Sequence, residues 1–121
     1  MDLVLSLHGR VAFAVVLYYT VVGLWAIVQG LRDRGPDASL RGAIAIATIA
    51  AVAQGGLGLL VLAFRGAPAD SVHILYGVAL ALSMPLAATV VRDRQPRGQS
   101  IALGIAALFA AGLAIRGITT G

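Results

Sequence analysis

Two histidines are the residues with the most chemistry available in this chain. His8 and His73 are the only histidines among 121 residues, and the sequence contains neither cysteine nor glutamate. A neutral imidazole binds a metal through one ring nitrogen, and two imidazoles can bind one metal from opposite sides. We find no carboxylate pair, no nucleophile beside a base, no phosphate-binding loop and no zinc motif. Independent catalysis on a soluble substrate is therefore not expected, and paired imidazole ligation is the chemistry to consider.

Long apolar runs must position these histidines. The chain is 60% hydrophobic and 12% charged, with a mean hydropathy of +0.94. A helix needs roughly 20 apolar residues to cross about 30 Å of hydrocarbon. The sequence predicts an all-α protein, a four-helix transmembrane bundle that forms one integral membrane domain over residues 1–121. The predicted helices cover residues 3–31, 40–64, 72–91 and 99–116.

The loops and the arginines predict how these helices are arranged. Short loops favour antiparallel neighbours and an up-down-up-down bundle. Six of the nine arginines flank the first and third loops, so the positive-inside rule places both termini on the non-cytoplasmic side. All basic residues are arginine, which suggests a GC-rich bacterial genome and a multi-pass protein of the bacterial cytoplasmic membrane. The net charge of +4 then reflects topology, so lipid is the expected partner and nucleic acid is not.

The two histidines are predicted to lie at similar depth. Asp2 and Asp70 are candidate N-caps, which places His8 about six residues and His73 about three residues inside parallel helices. Their depths then differ by roughly 5 Å, which helix tilt can close. Diagonally opposed helices would suit bis-histidine ligation of one b-type haem near the non-cytoplasmic face. Alternatively, His8 sits at the interface and His73 hydrogen-bonds near a helix start.

Glycines and a glutamine lie at the same predicted level. Gly55 and Gly58 on the second helix bracket the histidine depth, and Gly77 follows His73 by one turn. Such positions could admit the flat face of a porphyrin, or they could serve only to bring helices together. Gln54 could hydrogen-bond across the bundle or toward a ligand.

Small residues also recur every four positions. On the second helix the ladder is Ala43, Ala47, Ala51 and Gly55, and on the fourth it is Ala102, Ala106, Ala110 and Ala114. Ladders of this kind let helix backbones approach closely in lipid. We expect both to line helix–helix interfaces.

Arginines near the outer rim could pair with haem propionates. Arg10, Arg65 and Arg116 are the candidates at that side, and Arg10 and Arg116 are preferred as haem contacts. Each could instead extend its charged group to the lipid headgroups.

Two segments resemble one half of the haem A synthase family. "QGGLGLLVL" and "VHILYGVALAL" are similar to that family's glutamine–glycine and histidine segments, and "LHGR" is similar to its histidine–arginine pair. The resemblance covers roughly residues 8–90. It implies a half made of four helices, with His8 and His73 at haem-ligand positions and Gln54, Gly55 and Gly58 in the glutamine–glycine segment.

This chain also departs from that family. It has half the length, lacks the paired cysteines of many members and has no glutamate near the first histidine. These departures argue against haem hydroxylation and leave haem binding. We therefore expect a small membrane cytochrome-like protein for electron transfer or haem handling. The alternative is a haem-free accessory subunit of a respiratory or photosynthetic membrane complex; in either case membrane-protein partners or a second copy are expected.

Overall fold

Four helices make up the computed structural model, which describes residues 2–67 and 71–121. They are α1 (Asp2–Leu31), α2 (Ala38–Arg65), α3 (Val72–Val90) and α4 (Pro96–Thr120). Each is long and apolar enough to cross a membrane, as a multi-pass membrane protein requires. The described residues contain no strand, so the prediction of an all-α protein with four membrane-length helices is confirmed.

The helix ends differ from the predicted limits mainly in α4. That helix starts three residues before the predicted position and ends four residues after it. Pro96 fits the first helical turn because its missing N–H has no partner to lose there. At the other end the helix continues to Thr120, and the hydroxyls of Thr119 and Thr120 donate 2.9 Å hydrogen bonds to the Arg116 carbonyl. Asp2, a predicted N-cap, lies inside α1, and Asp70 lies outside the described residues.

Side-chain and backbone caps close the loop between α1 and α2. Asp33 adopts the left-handed conformation at φ 59°, which ends α1. Asp37 caps α2 by accepting a hydrogen bond of 2.8 Å from the Leu40 N–H. Ser100, fully buried on α4, donates a 2.7 Å hydrogen bond to the Arg34 carbonyl. The loop is thereby held against the start of α4.

The helices contact one another in a closed ring. Within the described residues α1 packs on α2 and α4, and α3 packs on the same two helices. Helices α1 and α3 therefore lie diagonally opposite each other. This arrangement is the one that the sequence predicts for the two histidine-bearing helices.

Backbone approach is closest between α1 and α4. A Cβ added at Gly104 would lie 2.8 Å from the Gly23 carbonyl oxygen and 2.6 Å from Ile27 Cγ1. Gly30 packs in the same way against Ile101. Of the predicted ladder on this helix, Ala110 and Ala114 are buried, whereas Ala102 and Ala106 are half-buried. The tightest contact thus involves glycines that the ladder does not include.

Hydrogen bonds from tyrosine hydroxyls join α1 to α2. Tyr19 is fully buried and donates a 3.0 Å bond to the Ala47 carbonyl, and Tyr18 donates a 2.8 Å bond to the Ala43 carbonyl. Ala47 and Ala51 of the predicted α2 ladder are buried. Part of that ladder therefore lies in an interface, as expected.

Candidate functional site

His8 and His73 come together at one end of the bundle. Their ring centroids are 6.0 Å apart, and the ring planes form an angle of 75°. Both residues are half-buried. The structure therefore juxtaposes the two predicted ligands from diagonal helices, with α2 and α4 beside them.

Helix α4 fixes the His73 ring. Its Nδ1 atom lies 2.8 Å from the Gly117 carbonyl oxygen and 3.3 Å from Thr120 Oγ1. A carbonyl oxygen can only accept, so Nδ1 carries the proton, and in the neutral ring Nε2 keeps its lone pair. This carbonyl contact is the one by which proteins orient metal-binding histidines. His73 thus has the tautomer that a metal ligand needs.

Helix α2 lies against the His8 ring. A Cβ at Gly58 would lie 3.2 Å from His8 Cε1, so only glycine leaves this ring its present space. The Gln54 amide donates a 2.8 Å hydrogen bond to the His8 carbonyl. Gln54 and Gly58, both singled out from the sequence, are therefore next to the first histidine.

Two buried polar atoms at this site have no hydrogen-bond partner within the described part of the chain. They are His8 Nδ1 and Gln54 Oε1. Buried polar atoms are nearly always paired in folded proteins, and unpaired ones mark sites for a ligand, an ion or water. The half of the site around His8 therefore has a ring nitrogen and an amide oxygen that could contact a further group.

The remaining predicted residues have other surroundings. Gly55 and Gly77 are exposed, and open space surrounds the position of an added Cβ at each. Arg116 lies over the Tyr76 ring at 5.9 Å, Arg65 forms an ion pair with Asp2, and Arg10 is exposed. Contact of Gly55, Gly77, Arg10 or Arg116 with a haem stays a prediction.

Two residues of α4 and the glycine that follows this helix complete the site but were not predicted. Gly117 and Thr120 contact His73 Nδ1, and a Cβ at Gly121 would lie 2.6 Å from His73 Cε1. The sequence offers little to reveal them, because one contact uses a backbone carbonyl and another uses the absence of a side chain. Only the proximity of α3 to α4 makes them neighbours of the histidine.

The spacing of the rings fits a shared metal. Two imidazoles that bind one metal from opposite sides, with metal–nitrogen bonds of about 2.0–2.1 Å, place their ring centroids roughly 6 Å apart. The observed 6.0 Å agrees with that spacing, and at 75° it is also the distance of a direct edge-to-face contact between two rings. Among the described residues no group of three or more His, Cys, Asp or Glu side chains is close enough to hold a metal ion. The donor set is thus two imidazoles, too few for a four-ligand zinc site but sufficient as axial ligands of a porphyrin metal.

Comparisons with protein-family models, curated proteins and solved structures find no match for this chain. The resemblance to one half of the haem A synthase family therefore stays a prediction. The functional interpretation of the candidate site therefore depends on the geometry of His8, His73 and their neighbours.

Proposed function

We propose that this protein is a small membrane cytochrome-like protein that holds one b-type haem between His8 and His73. The observation that carries the proposal is the pair of half-buried imidazoles, 6.0 Å apart on diagonally opposed helices. His8 and His73 would hold the haem iron through their imidazoles, and the haem would supply a one-electron couple. The role is electron transfer or haem handling, with no independent catalytic activity.

The chain's own residues would tune this site from both sides. The Gly117 carbonyl accepts a hydrogen bond from the His73 Nδ1–H, which orients the ring and raises the basicity of Nε2. On the other side, Gln54 holds the backbone of His8, and Gly58 leaves room beside its ring.

The proposal includes an up-down-up-down topology in the bacterial cytoplasmic membrane, with both termini on the non-cytoplasmic side. Its support is that the Asp2–Arg65 pair joins the start of α1 to the end of α2, while His73 and Gly117 join the start of α3 to the end of α4. Six arginines flank the two loops at the other end. By the positive-inside rule that end is cytoplasmic, so the histidines lie near the opposite face.

A reduced-minus-oxidised absorption spectrum of the purified, haem-supplied protein tests this function. We expect a sharp b-type band that disappears in both His8→Ala and His73→Ala, because each variant removes one axial ligand. Gln99→Ala, at the other end of the bundle, is the control and should keep the band. A correctly folded protein without haem would overturn the proposal and favour a haem-free accessory subunit.

A ligand substitution separates coordination from a purely structural role. His8→Met replaces one imidazole with a thioether, and His/Met ligation raises the reduction potential of haem iron. We expect the variant to retain haem with a more positive midpoint potential. An unchanged potential and spectrum would show that His8 is not a ligand.

A further inference from the structure

A second candidate site lies at the end of the bundle opposite the histidines. It is a cleft of about 340 Å³ between α2, α3 and α4, which we call the arginine cleft. Its polar wall consists of Arg41, Thr89, Arg92 and Gln99, and its apolar wall includes Val91 and Leu103. Val91 and Leu103 are buried, so the cleft extends from the polar surface into the bundle.

The two cleft arginines have charge available for a ligand. Arg41 Nε donates a 3.1 Å hydrogen bond to the Pro36 carbonyl, which steadies the side chain and leaves its terminal nitrogens free of that bond. The ion pairs between described residues, Asp2–Arg65 and Asp33–Arg97, do not involve the cleft arginines. A guanidinium in this position is suited to paired hydrogen bonds with phosphate oxygens.

Neighbouring carboxylates oppose this charge only in part. Asp37 already accepts hydrogen bonds from the Leu40 N–H and the Gln29 amide, and Asp33 pairs with Arg97. Asp93 is exposed in the loop that follows α3. Six arginines against these three aspartates leave this end of the protein with an excess of positive charge. The N-terminal ends of α2 and α4 and the C-terminal ends of α1 and α3 all lie here, so the helix dipoles oppose one another and the positive charge comes from the arginines.

The position of the cleft indicates which anion it meets. It lies where membrane-length helices end, with exposed Leu86 and Val90 of α3 next to its polar wall. A molecule that fills it would have an anionic head among arginines and an apolar body along the helix. Basic pockets between transmembrane helices at the cytoplasmic side bind the head groups of anionic lipids in this way.

We propose that the arginine cleft binds a phosphate group, and that the source is the headgroup of an anionic phospholipid. Inorganic phosphate offers the same oxygens without an acyl chain, so it would use Arg41 and Arg92 but not the apolar wall. The Gln99 amide is already committed to the Arg92 and Arg94 carbonyls, which holds the loop around the cleft in place. Specificity for the charged headgroup then comes from the two guanidinium groups.

Lipid binding to the purified full-length protein tests the proposal. The affinity is measured in nanodiscs of phosphatidylcholine by titration with fluorescent phosphatidylglycerol, with inorganic phosphate as a competitor. We expect roughly fivefold weaker binding for each of Arg41→Gln and Arg92→Gln, since each cation near an anionic surface contributes about that factor. The double variant should bind roughly twentyfold more weakly.

The matched control is Arg32→Gln with Arg94→Gln, which removes the same charge from the same end outside the cleft. We expect this pair to keep most of the affinity. Equal losses in both double variants would overturn the site and show a diffuse surface charge effect. Displacement of the lipid by millimolar inorganic phosphate would overturn the lipid as the source. Thermal unfolding of each variant without added lipid checks that it is folded.

Discussion

The α1–α4 interface and the α2–α3 side of the bundle use glycine in different ways. At the interface, Gly23 and Gly104 let two backbones meet so closely that an added Cβ would lie 2.8–3.0 Å from the facing carbonyl oxygen. On the other side, Gly55, Gly56 and Gly77 have open space where a Cβ would be. The same residue type therefore marks the most closely packed and the least packed parts of the molecule.

This difference explains how the histidines are held. His8 belongs to α1, and His73 is hydrogen-bonded to α4 through the Gly117 carbonyl. Helices α1 and α4 therefore position both histidine rings, although His73 itself belongs to α3, which is less tightly packed. In a membrane, where no hydrophobic effect drives helices together, close backbone contact is what makes such a pair rigid.

The largest effect is expected when a side chain is added at the tight interface. Gly104→Ala places a methyl group 2.6 Å from Ile27 Cγ1 and 2.9 Å from the Ile27 nitrogen, so the helices must separate. Overpacking of this kind costs about 1–3 kcal/mol or more. Thermal unfolding in detergent, followed by circular dichroism, should show a lower midpoint.

The matched variant on the open side is Gly77→Ala. It meets no atom within 4 Å and replaces glycine in a helix by the best helix former. We expect a gain of about 0.5–1 kcal/mol, seen as a higher midpoint in the same measurement. If both variants lost stability equally, the contrast between the two regions would be wrong.

An intermediate effect is expected at the α1–α2 interface, where hydroxyl groups take the place of glycines. Tyr19→Phe removes a fully buried 3.0 Å hydrogen bond to the Ala47 carbonyl. Bonds of this kind between membrane helices contribute about 0.6 kcal/mol on average and up to roughly 1.7 kcal/mol. Equilibrium unfolding of Tyr19→Phe measures the contribution of this hydrogen bond to the free energy of unfolding. Tyr18→Phe, which removes the neighbouring half-buried hydrogen bond, is the comparison. A loss as large as that of Gly104→Ala would contradict the ranking.

The smallest effect is expected from Asp37, in the loop between α1 and α2. The hydrogen bond from the Leu40 N–H, followed by that from the Gln29 amide, lowers the pKa of Asp37 below its usual 3.8. The carboxylate therefore stabilises the fold above the pKa of the unfolded chain, and this stabilisation is lost as the pH falls through the lower folded value.

Asp37→Asn checks this pH dependence, because the amide can still cap α2 but cannot titrate. We expect the variant to show less loss of thermal stability than the wild type between about pH 5 and pH 2. If the melting temperatures of the two proteins fell in parallel as the pH was lowered, Asp37 would contribute nothing to the loss of stability in acid.

The helices and the histidine pair could be predicted, but the glycine contacts could not. Length and apolarity determine four membrane helices, and the short loops between them bring His8 and His73 to the same end of the bundle. Gly55 and Gly104 look alike in a one-dimensional pattern, because neither composition nor spacing states which helix face meets a neighbour. Gly117 and Thr120 were missed for the same reason: their role depends on a backbone carbonyl and on the packing of α3 against α4.

The closed ring of contacts also constrains how the protein is made. Its tightest interface joins α1 to α4, and α1 leaves the ribosome before α4, with α2 and α3 between them. While α2 and α3 insert, the glycine face of α1 must stay in contact with lipid or with the insertion machinery, since its permanent partner has not yet been synthesised. Contacts between distant parts of a chain form late for this reason. Release of α4 is thus the step that completes both the rigid helix pair and the hydrogen bond that orients His73.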